Sequence, residues 1–470
     1  MVFSSIPFLF FFFPLFLFLY YILPFKYKNK ILLIFSLIFY AWGEPVYILL
    51  MLFSTFVDYM NGRLFEKKNF RNKKLYLIIA LAINISLLGF FKYSDFLIEV
   101  INSLFNVSIP LLNIGLPIGI SFYTFQTMSY SIDVYRKNVK PEKNYFTYLT
   151  YISMFPQLIA GPIVRYETIS EELHERVVDF NGFTTGLLRF MHGLFKKVLI
   201  ANNIGYLWTV ISTSTTGELS VMTAWLGLLA FSFQIYYDFS GYSDMAIGMG
   251  KMLGFNYLEN FNYPYIATSI TDFWRRWHIS LSTWFKDYVY IPLGGSRVKK
   301  IINIRNIFIV WALTGIWHGA AWNFVIWGIY YGVILLLEKF ILKEYIDKFP
   351  KWLKHTYTLL LVMIGWLIFA FDDMTLLGNY TNILFGIGNN PFIDSSFIYY
   401  FSNYFIIIVI AIILSMPTYH IIKDKLLTIK DEKTELIIFI IRIMMYLLLL
   451  IITTSYLVAD TYNPFLYFRF

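Results

Sequence analysis

The sequence contains no cysteine among its 470 residues. Disulfides, a thiolate nucleophile and a thiolate metal site are therefore excluded. Charged residues are also scarce, at 14%, against 58% hydrophobic and 21% aromatic residues, and the mean hydropathy is +0.61. A soluble domain of this composition would leave large apolar surfaces in water. The composition excludes a soluble protein and indicates a bilayer.

The first apolar segment, residues 6–23, lacks two features of a cleaved secretory signal. No basic residue precedes it, since Lys26, Lys28 and Lys30 all follow it, and it has no small-residue cleavage site. We therefore expect a permanent first span. Apolar stretches of about 17 to 25 residues recur along the whole chain, which excludes a single anchor on a soluble domain. The expected fold is an all-α polytopic membrane protein.

Positive charge is not spread evenly along the chain. The net charge of +9, from 38 Lys and Arg against 29 Asp and Glu, lies in short clusters between apolar segments. This pattern is typical of cytoplasmic loops rather than of a nucleic-acid surface, so no nucleic-acid partner is expected. Residues 355–422 hold no Lys or Arg but three Asp, so the loop at 372–396 should face outside. Counting spans, including a pair that turns at residues 42–45 and a last span at 437–457, leaves both termini outside.

The chain shows no internal repeat, low-complexity linker or composition change. We predict one domain over residues 1–470, with N-terminal spans at 1–145, a core at 146–340, and C-terminal spans with an outer tail at 341–470. Residues 156–165 and 256–297 are too polar, or too rich in proline and glycine, to face lipid. Irregular backbone at membrane depth survives only inside protein or around a wet cavity. Both regions are therefore expected to form re-entrant segments of a central core.

The densest polar chemistry lies in residues 272–288. At helical spacing, one apolar stripe holds Trp274, His278, Leu281, Phe285 and Tyr288. The stripe predicts one amphipathic helix with His278 on its apolar side, where a hydrogen-bonded core histidine is the commoner case. The basic residues of this segment fall mostly on other faces, and they are Arg275, Arg276 and Lys286. Such residues mark a headgroup-facing edge or, alternatively, attract the phosphates of a soluble donor.

One imidazole, His318, stands alone in the apolar run at residues 306–331. We expect it near the middle of that span, where burying a polar ring costs about one to several kcal/mol and ionisable groups mark transport or chemistry. Small residues and tryptophans flank it, namely Gly315, Gly319, Ala320, Ala321, Trp311, Trp317, Trp322 and Trp327. A neutral imidazole can take a proton from a hydroxyl. Alternatively, the ring only bonds a carbonyl of a neighbouring helix.

Several motifs together resemble the membrane-bound O-acyltransferase family, and in particular its alginate O-acetyltransferase-like branch. They lie at residues 155–163, 237–248, 272–282, 284–295 and 315–319. The resemblance implies a ring of spans around a thinned core, with a tunnel joining a cytoplasmic donor site to an outer acceptor site. It also implies acetyl-CoA as acyl donor, with no permanently bound cofactor, and a hydroxyl as acceptor.

The resemblance assigns roles to individual residues. His318 matches the family's catalytic histidine and His278, 40 residues earlier, its second histidine. We expect His318 to act as general base on the accepting hydroxyl, and His278 to orient or polarise the thioester. The residues expected to bind the donor are Trp274, Arg275, Arg276, Lys286 and Trp317.

The C-terminal tail carries a third candidate. Phe465, Tyr467 and Phe470 are typical of an aromatic anchor at the outer interface. Their pattern also resembles a terminal motif of this branch and of accessory peptides of related D-alanyl transferases. That likeness implies that Tyr467 carries the acetyl group transiently, since an aryl ester is a better acyl donor than an alkyl ester. The implied recipient is an extracytoplasmic hydrolase-like (SGNH/GDSL-type) transferase.

We therefore expect a membrane O-acetyltransferase of a bacterial plasma membrane, in contact with lipid, that serves O-acetylation of an exported cell-surface polysaccharide. One alternative is a transporter or flippase of a lipid-linked sugar, which predicts an internal repeat that the sequence lacks. Others are D-alanyl or other acyl transfer to a wall polymer, and an inactive acyl-binding scaffold, against which the two histidines argue.

The remaining polar candidates carry weaker signals. Asp238 and Asp244 lie six residues apart without further ligands, so no metal site is predicted. The other histidines are expected at solvated or interfacial positions, and they are His174, His192, His355 and His420.

Overall fold

The computed structural model describes residues 2–67, 72–159, 161–214, 219–418 and 432–459. Within these ranges the chain forms helices and connecting turns and no β-strand, so the expected all-α polytopic fold is confirmed. The α-helices are α1 Phe13–Ile22, α2 Phe25–Gly43, α3 Ile48–Glu66, α4 Lys73–Phe105, α5 Ile120–Arg136, α6 Tyr145–Ser153, α7 Phe155–Leu158, α8 Tyr166–His174, α9 Phe180–Phe195, α10 Asn203–Thr213, α11 Val221–Met252, α12 Ile270–Arg276, α13 Ile279–Phe285, α14 Lys300–His318, α15 Trp322–Leu337, α16 Lys343–Lys348, α17 Lys351–Ala370, α18 Met374–Leu384, α19 Ser395–Leu414 and α20 Glu432–Ala459. Four π-helical segments continue or precede them, at Phe8–Phe12, Lys196–Asn202, Lys286–Tyr290 and Glu338–Leu342, and Pro264–Ile266 is a 3-10 turn.

Six helices among the described residues are long and apolar enough to cross a membrane. They are Lys73–Phe105, Lys300–His318, Trp322–Lys348, Lys351–Ala370, Ser395–Leu414 and Leu436–Ala459. A bilayer core of about 30 Å requires about 20 helical residues. Only 11% to 33% of the residues in each apolar window are buried inside the protein. Most of their side chains therefore face outward, as lipid-exposed helices require.

The N-terminal apolar helix is shorter than the expected first span. It runs Phe8–Ile22, with 5 π-helical and 10 α-helical residues. At about 1.5 Å per residue it reaches about 22 Å, less than the hydrocarbon thickness. The turn predicted at residues 42–45 is confirmed, since α2 ends at Gly43 and α3 begins at Ile48.

Contacts within the chain define two compact units, and the single-domain description stays a prediction. One unit comprises Met1–Phe190 and Tyr242–Leu258, and the other Met191–Gly241 and Glu259–Phe470. In the first unit, α3, α4 and α5 pack against one another, and 14 residues of α5 are buried. In the second unit, α15 packs on α14 and α17, and the short helix α12 contacts both α15 and α17. This second packing positions the candidate site.

The described residues 156–159 and 161–164 of the irregular segment lie inside protein, as expected. Helix α7 ends at Leu158, and residues 161–164 are buried without helical structure. Gly161 permits this path, because a Cβ there would lie 2.6 Å from Gln157 Cα.

The single helix predicted over residues 272–288 is wrong. Helix α12 ends at Arg276 and α13 begins at Ile279, with His278 between them in a left-handed conformation at φ 44°. That conformation is uncommon for a residue other than glycine and occurs at functional sites as well as in turns. The predicted burial of the stripe is nevertheless confirmed for Trp274, His278, Leu281, Phe285 and Tyr288. The same side chains are buried in two short helices as would be buried in one continuous helix. Helical periodicity therefore does not reveal the break.

The expectation that His318 lies mid-span is also wrong. Helix α14 ends at His318, and α15 begins at Trp322 and packs back along α14. The two backbones approach closely at Gly315, where a Cβ would lie 2.4 Å from the Phe324 carbonyl oxygen. The turn consists of Gly-Ala-Ala, which is as apolar as its flanks, so hydropathy does not mark it. In the same way, the predicted outer loop at 372–396 contains the helix α18.

Candidate functional site

The structure brings the two predicted histidines together in the second unit, with Trp317 between them. The ring centroids of Trp317 and His318 lie 4.9 Å apart, and those of His278 and Trp317 lie 6.1 Å apart. Both imidazoles are buried, with 1% of His278 and 6% of His318 exposed. Two buried ionisable rings in one cluster are more typical of a functional site than of ordinary helix packing.

Asn260 fixes the orientation of His278. Its side-chain oxygen accepts hydrogen bonds from His278 Nδ1 at 3.1 Å, from the Ser280 N–H at 3.2 Å and from the Ser280 hydroxyl at 2.9 Å. Three donors around one atom identify it as the amide oxygen, so the imidazole proton resides on Nδ1. The lone pair is then on Nε2. Asn260 is a site residue that the motifs did not reveal, because amides in loops are common.

Burial keeps His278 uncharged. The Phe239 ring packs nearly perpendicular to the imidazole, with centroids 4.7 Å apart and planes at 86°. His278 lies outside the six long apolar helices, and its burial lowers the pKa of its imidazole to about 3. Removal from water disfavours the charged form. His278 is therefore a neutral polar group at physiological pH, with Nε2 as a hydrogen-bond acceptor.

Aromatic rings enclose His318. Centroids of Trp327 and Phe369 lie 5.0 and 5.4 Å from the imidazole, with planes at 78° and 80°. Gly319 allows the chain to turn here, since a Cβ would lie 2.1 Å from the Phe324 ring. His318 is the last residue of α14, and the C-terminal end of a helix favours a cation.

Behind the histidines lies a set of large aromatic side chains, which we call the indole cluster. It consists of Trp274, Trp311, Trp327, Tyr331 and Trp366. Trp317, predicted to bind the donor, contacts both histidine rings. Trp274, also predicted to bind the donor, is buried and contacts Trp327, which in turn contacts His318. Tyr331, Phe369 and Trp366 were missed, because nothing in an apolar helix distinguishes a residue that faces a site from one that faces a neighbouring helix.

The three predicted basic residues are more exposed than the aromatic ones. Arg275 and Lys286 are exposed. Arg276 is half-buried, and its Nε donates to Asp272 Oδ1 at 2.9 Å within α12. Arg275 and Lys286 are thus better placed than Arg276 to meet the phosphates of a soluble ligand.

Glu338 anchors the start of α12 and was also missed. Its buried carboxylate accepts the N–H groups of Ile270 at 2.7 Å and Thr271 at 2.9 Å, and the Thr271 hydroxyl at 2.9 Å. It thereby accepts backbone N–H groups at the N-terminus of α12, which have no acceptor within their own helix. In the sequence, Glu338 stands out only as a single carboxylate at the end of an apolar run.

The Asp238 and Asp244 carboxylates each pair with a cation. Asp238 forms a buried ion pair with Lys197 in the second unit. In the first unit, Arg189 contacts Asp244 at 2.6 Å. Among the described residues no group of three or more His, Asp or Glu side chains could hold a metal ion.

The other histidines make specific contacts. His174 Nε2 lies 2.8 Å from Glu142 Oε2, and His355 Nδ1 lies 3.3 Å from the Ala267 carbonyl oxygen. His192 hydrogen-bonds the Tyr446 hydroxyl. His174 is exposed while His192 and His355 are half-buried, which fits interfacial positions. His420 and the predicted acyl carrier Tyr467 lie outside the described residues.

Comparison with known proteins identifies relatives for most of the chain. The family model of MBOAT, the membrane-bound O-acyltransferase family, matches residues 124–381. A probable alginate O-acetylase of Pseudomonas aeruginosa is 42% identical over 397 residues, covering 83% of this chain and 75% of that protein. A peptidoglycan O-acetyltransferase of Helicobacter pylori is 35% identical over 410 residues, covering 80% and 78%. A teichoic acid D-alanyltransferase of Bacillus subtilis is 29% identical over 260 residues, covering 53% and 65%.

Proposed function

This chain belongs to the membrane-bound O-acyltransferase family, and on that premise we propose that it moves an acetyl group from cytoplasmic acetyl-CoA to an acceptor hydroxyl outside a bacterial plasma membrane. The final acceptor is an exported cell-surface polysaccharide. The names of the alginate and peptidoglycan O-acetylating relatives support this acceptor class. The observation that carries the proposal is the pair of buried imidazoles with Trp317 between them.

Each residue of the pair has one task. His318 takes the proton from the accepting hydroxyl as that oxygen attacks the acyl carbon. His278, neutral and fixed through Nδ1 by Asn260, orients the thioester. The CoA part lies towards the exposed side chains of Arg275 and Lys286, while Trp274 and Trp317 exclude water from the acyl group.

The acetyl group then leaves through the outer side. Tyr467 accepts it as an aryl ester and passes it to an extracytoplasmic SGNH/GDSL-type transferase, which modifies the polysaccharide. A second candidate function is D-alanyl transfer to a wall polymer, which the relationship to a teichoic acid D-alanyltransferase favours. It ranks second because identity and coverage are lower than for the O-acetylating relatives.

The central test measures CoA release from acetyl-CoA by the purified protein in lipid nanodiscs with a small phenol as acceptor. His318→Ala should reduce the rate by about 100-fold or more, as loss of a general base does. His174→Gln serves as control, because that side chain is exposed and belongs to the other unit. A His318→Ala protein as active as the wild type would refute the assignment. A wild-type protein that releases no CoA would instead favour a transporter.

Tyr467→Phe tests the carrier step separately. The substitution keeps the aromatic ring and deletes the hydroxyl that would be esterified. We expect acetylation of the surface polysaccharide to be lost in cells, while CoA release to a small phenol persists in nanodiscs. Unchanged acetylation of the polysaccharide in cells would rule out Tyr467 as carrier.

A further inference from the structure

Four hydrogen-bond donors in the indole cluster have no hydrogen-bond partner among the described residues. One is the indole N–H of Trp366. The other three lie on rings that contact one another, and they are the indole N–H groups of Trp274 and Trp327 and the hydroxyl of Tyr331. The exposed fractions of these residues are 8%, 1% and 0%. Most buried polar groups are hydrogen-bonded, and an unsatisfied one costs about 1–3 kcal/mol. Three such donors in one place therefore require an explanation.

The three donors are contiguous with each other and with the catalytic imidazole. Ring centroids lie 4.9 Å apart for Trp274 and Tyr331, 5.5 Å for Trp274 and Trp327, and 5.2 Å for Trp327 and Tyr331. Trp327 continues to His318 at 5.0 Å. These rings meet edge to face, and a π face is only a weak acceptor compared with an oxygen.

The chemistry of the missing partner follows from the donors. Indole N–H groups donate and do not accept, so the cluster complements a group with lone pairs and no proton. A sugar hydroxyl would bring a proton of its own, whereas a carbonyl oxygen brings only lone pairs. His318, the proposed general base, lies next to Trp327. The carbonyl expected at this place is therefore that of the acyl donor, which the deprotonated hydroxyl attacks.

Resting on the acetyl transfer proposed above, we propose that Trp327, supported by Trp274 and Tyr331, binds the carbonyl oxygen of the donor thioester and stabilises the oxyanion formed there. As the acceptor oxygen bonds to the acyl carbon, its proton passes to His318 and the carbonyl π pair moves onto the oxygen. When that pair re-forms the carbonyl, the C–S bond breaks. The CoA thiolate leaves and takes the proton from His318. Donors held in place by packing before the reaction need little reorganisation as charge develops on the carbonyl oxygen.

Trp327→Phe and Tyr331→Phe test this role, because each keeps an aromatic ring and removes one donor. For Trp327→Phe we expect kcat to fall on the order of 100-fold, with little change in KM for acetyl-CoA. For Tyr331→Phe, which deletes only one oxygen atom, the Tm should stay level or rise, because an unsatisfied buried donor has been removed. Matched controls are Trp225→Phe and Tyr380→Phe, whose donors are satisfied by the Leu384 and Ala224 carbonyl oxygens at 3.0 and 2.8 Å. The controls should lower Tm and leave kcat unchanged.

Two unreactive CoA analogues supply a binding readout. One is a ketone in which methylene replaces the thioester sulfur, and the other is the S-ethyl thioether, which lacks the carbonyl oxygen. The wild type should bind the ketone more tightly than the thioether, and Trp327→Phe should remove that difference. Unchanged kcat and an unchanged ketone preference in both variants would overturn the inference. If His318→Ala were inactive in the same assay, only the role of the indole cluster would be refuted, and the proposed acetyl transfer would stand.

Discussion

At the scale of single residues, the geometry of the site depends on Asn260. One amide oxygen holds His278 and Ser280, while the Asn260 backbone carbonyl accepts the Ile279 N–H at 3.0 Å. These bonds surround the left-handed residue between α12 and α13. A hydrogen bond to one ring nitrogen fixes the tautomer and the direction of a functional imidazole.

Replacing Asn260 should therefore impair turnover more than binding. Asn260→Ala removes the partner of His278 Nδ1, and we expect kcat to fall about 10- to 100-fold, as activity does when other functional histidines lose the group that orients them. Asn260→Asp places a carboxylate there, which favours the protonated imidazole, so the acid limb of the kcat–pH profile should move to higher pH. Asn262→Ala is the control, since that side chain is exposed. An unshifted profile in Asn260→Asp would reduce Asn260 to a purely structural role.

The sequence predicted part of this site and not the rest. His278, His318, Trp274 and Trp317 lie in local motifs, and the structure places them together. Asn260, Glu338 and Tyr331 reach the site through long-range contacts, which a pattern in one stretch of sequence does not encode. A carboxylate that caps a helix 68 residues upstream, as Glu338 does, is visible only after folding.

At the scale of helices, the hairpin of α14 and α15 sets the position of His318. Gly315 and Gly328 bring the two backbones together, with a Cβ on Gly328 meeting the Trp311 carbonyl oxygen at 2.5 Å. Small residues at such crossings allow close packing where helices gain little from the hydrophobic effect in lipid. Hydropathy predicted the apolar run but not the turn inside it, since the turn residues are themselves apolar.

Gly315→Ala should separate the two helices. Its Cβ would lie 2.4 Å from backbone, which cannot rotate away as a side chain does. Overpacking of this kind costs about 1–3 kcal/mol, so we expect a lower Tm and reduced acetyl transfer. Gly378→Ala in α18 is the matched control, because nothing lies within 4 Å of its Cβ and alanine favours helix by up to about 1 kcal/mol. Equal Tm values for the two variants would contradict the close crossing.

Asp394 links two helices of the second unit and predicts a pH dependence. Its Oδ1 accepts the Phe397 N–H at 2.9 Å at the start of α19, and the Ser220 and Thr223 hydroxyls, both at 2.8 Å, at the start of α11. Partial burial opposes ionisation, but these three hydrogen bonds lower the pKa of Asp394 below its usual value. A lowered pKa in the folded state stabilises the protein above about pH 4, and the contribution is lost as pH falls through the folded value.

Asp394→Ala should lower Tm at pH 7, by an amount equivalent to about 1–2 kcal/mol for a lost helix cap. The difference from the wild type should shrink as the pH is lowered from 5 to 3. Asp373→Ala is the control, because Asp373 caps only its own helix α18 and is exposed. A Tm difference that is constant over this pH range would show that the Asp394 carboxylate does not carry the stabilisation.

At the scale of the whole molecule, the spans and the charges predict the same topology. Three long apolar helices lie between Ser296 and Asn389, so these two residues should be on opposite sides of the membrane. The segment at 297–305 is basic, and the segment at 372–396 has no Lys or Arg. By the positive-inside rule the first is cytoplasmic and the second is outside.

The absence of cysteine makes this topology directly testable. Ser296→Cys and Asn389→Cys each introduce a single thiol at an exposed position. In spheroplasts, a membrane-impermeant maleimide should label Asn389→Cys at once and Ser296→Cys only after permeabilisation. The unsubstituted protein is the blank, because it has no thiol. Labelling of both thiols from one side would contradict the count of three spans. The reverse labelling pattern would place the basic segments outside. Such a result would contradict the proposal that Arg275 and Lys286 bind acetyl-CoA from the cytoplasm.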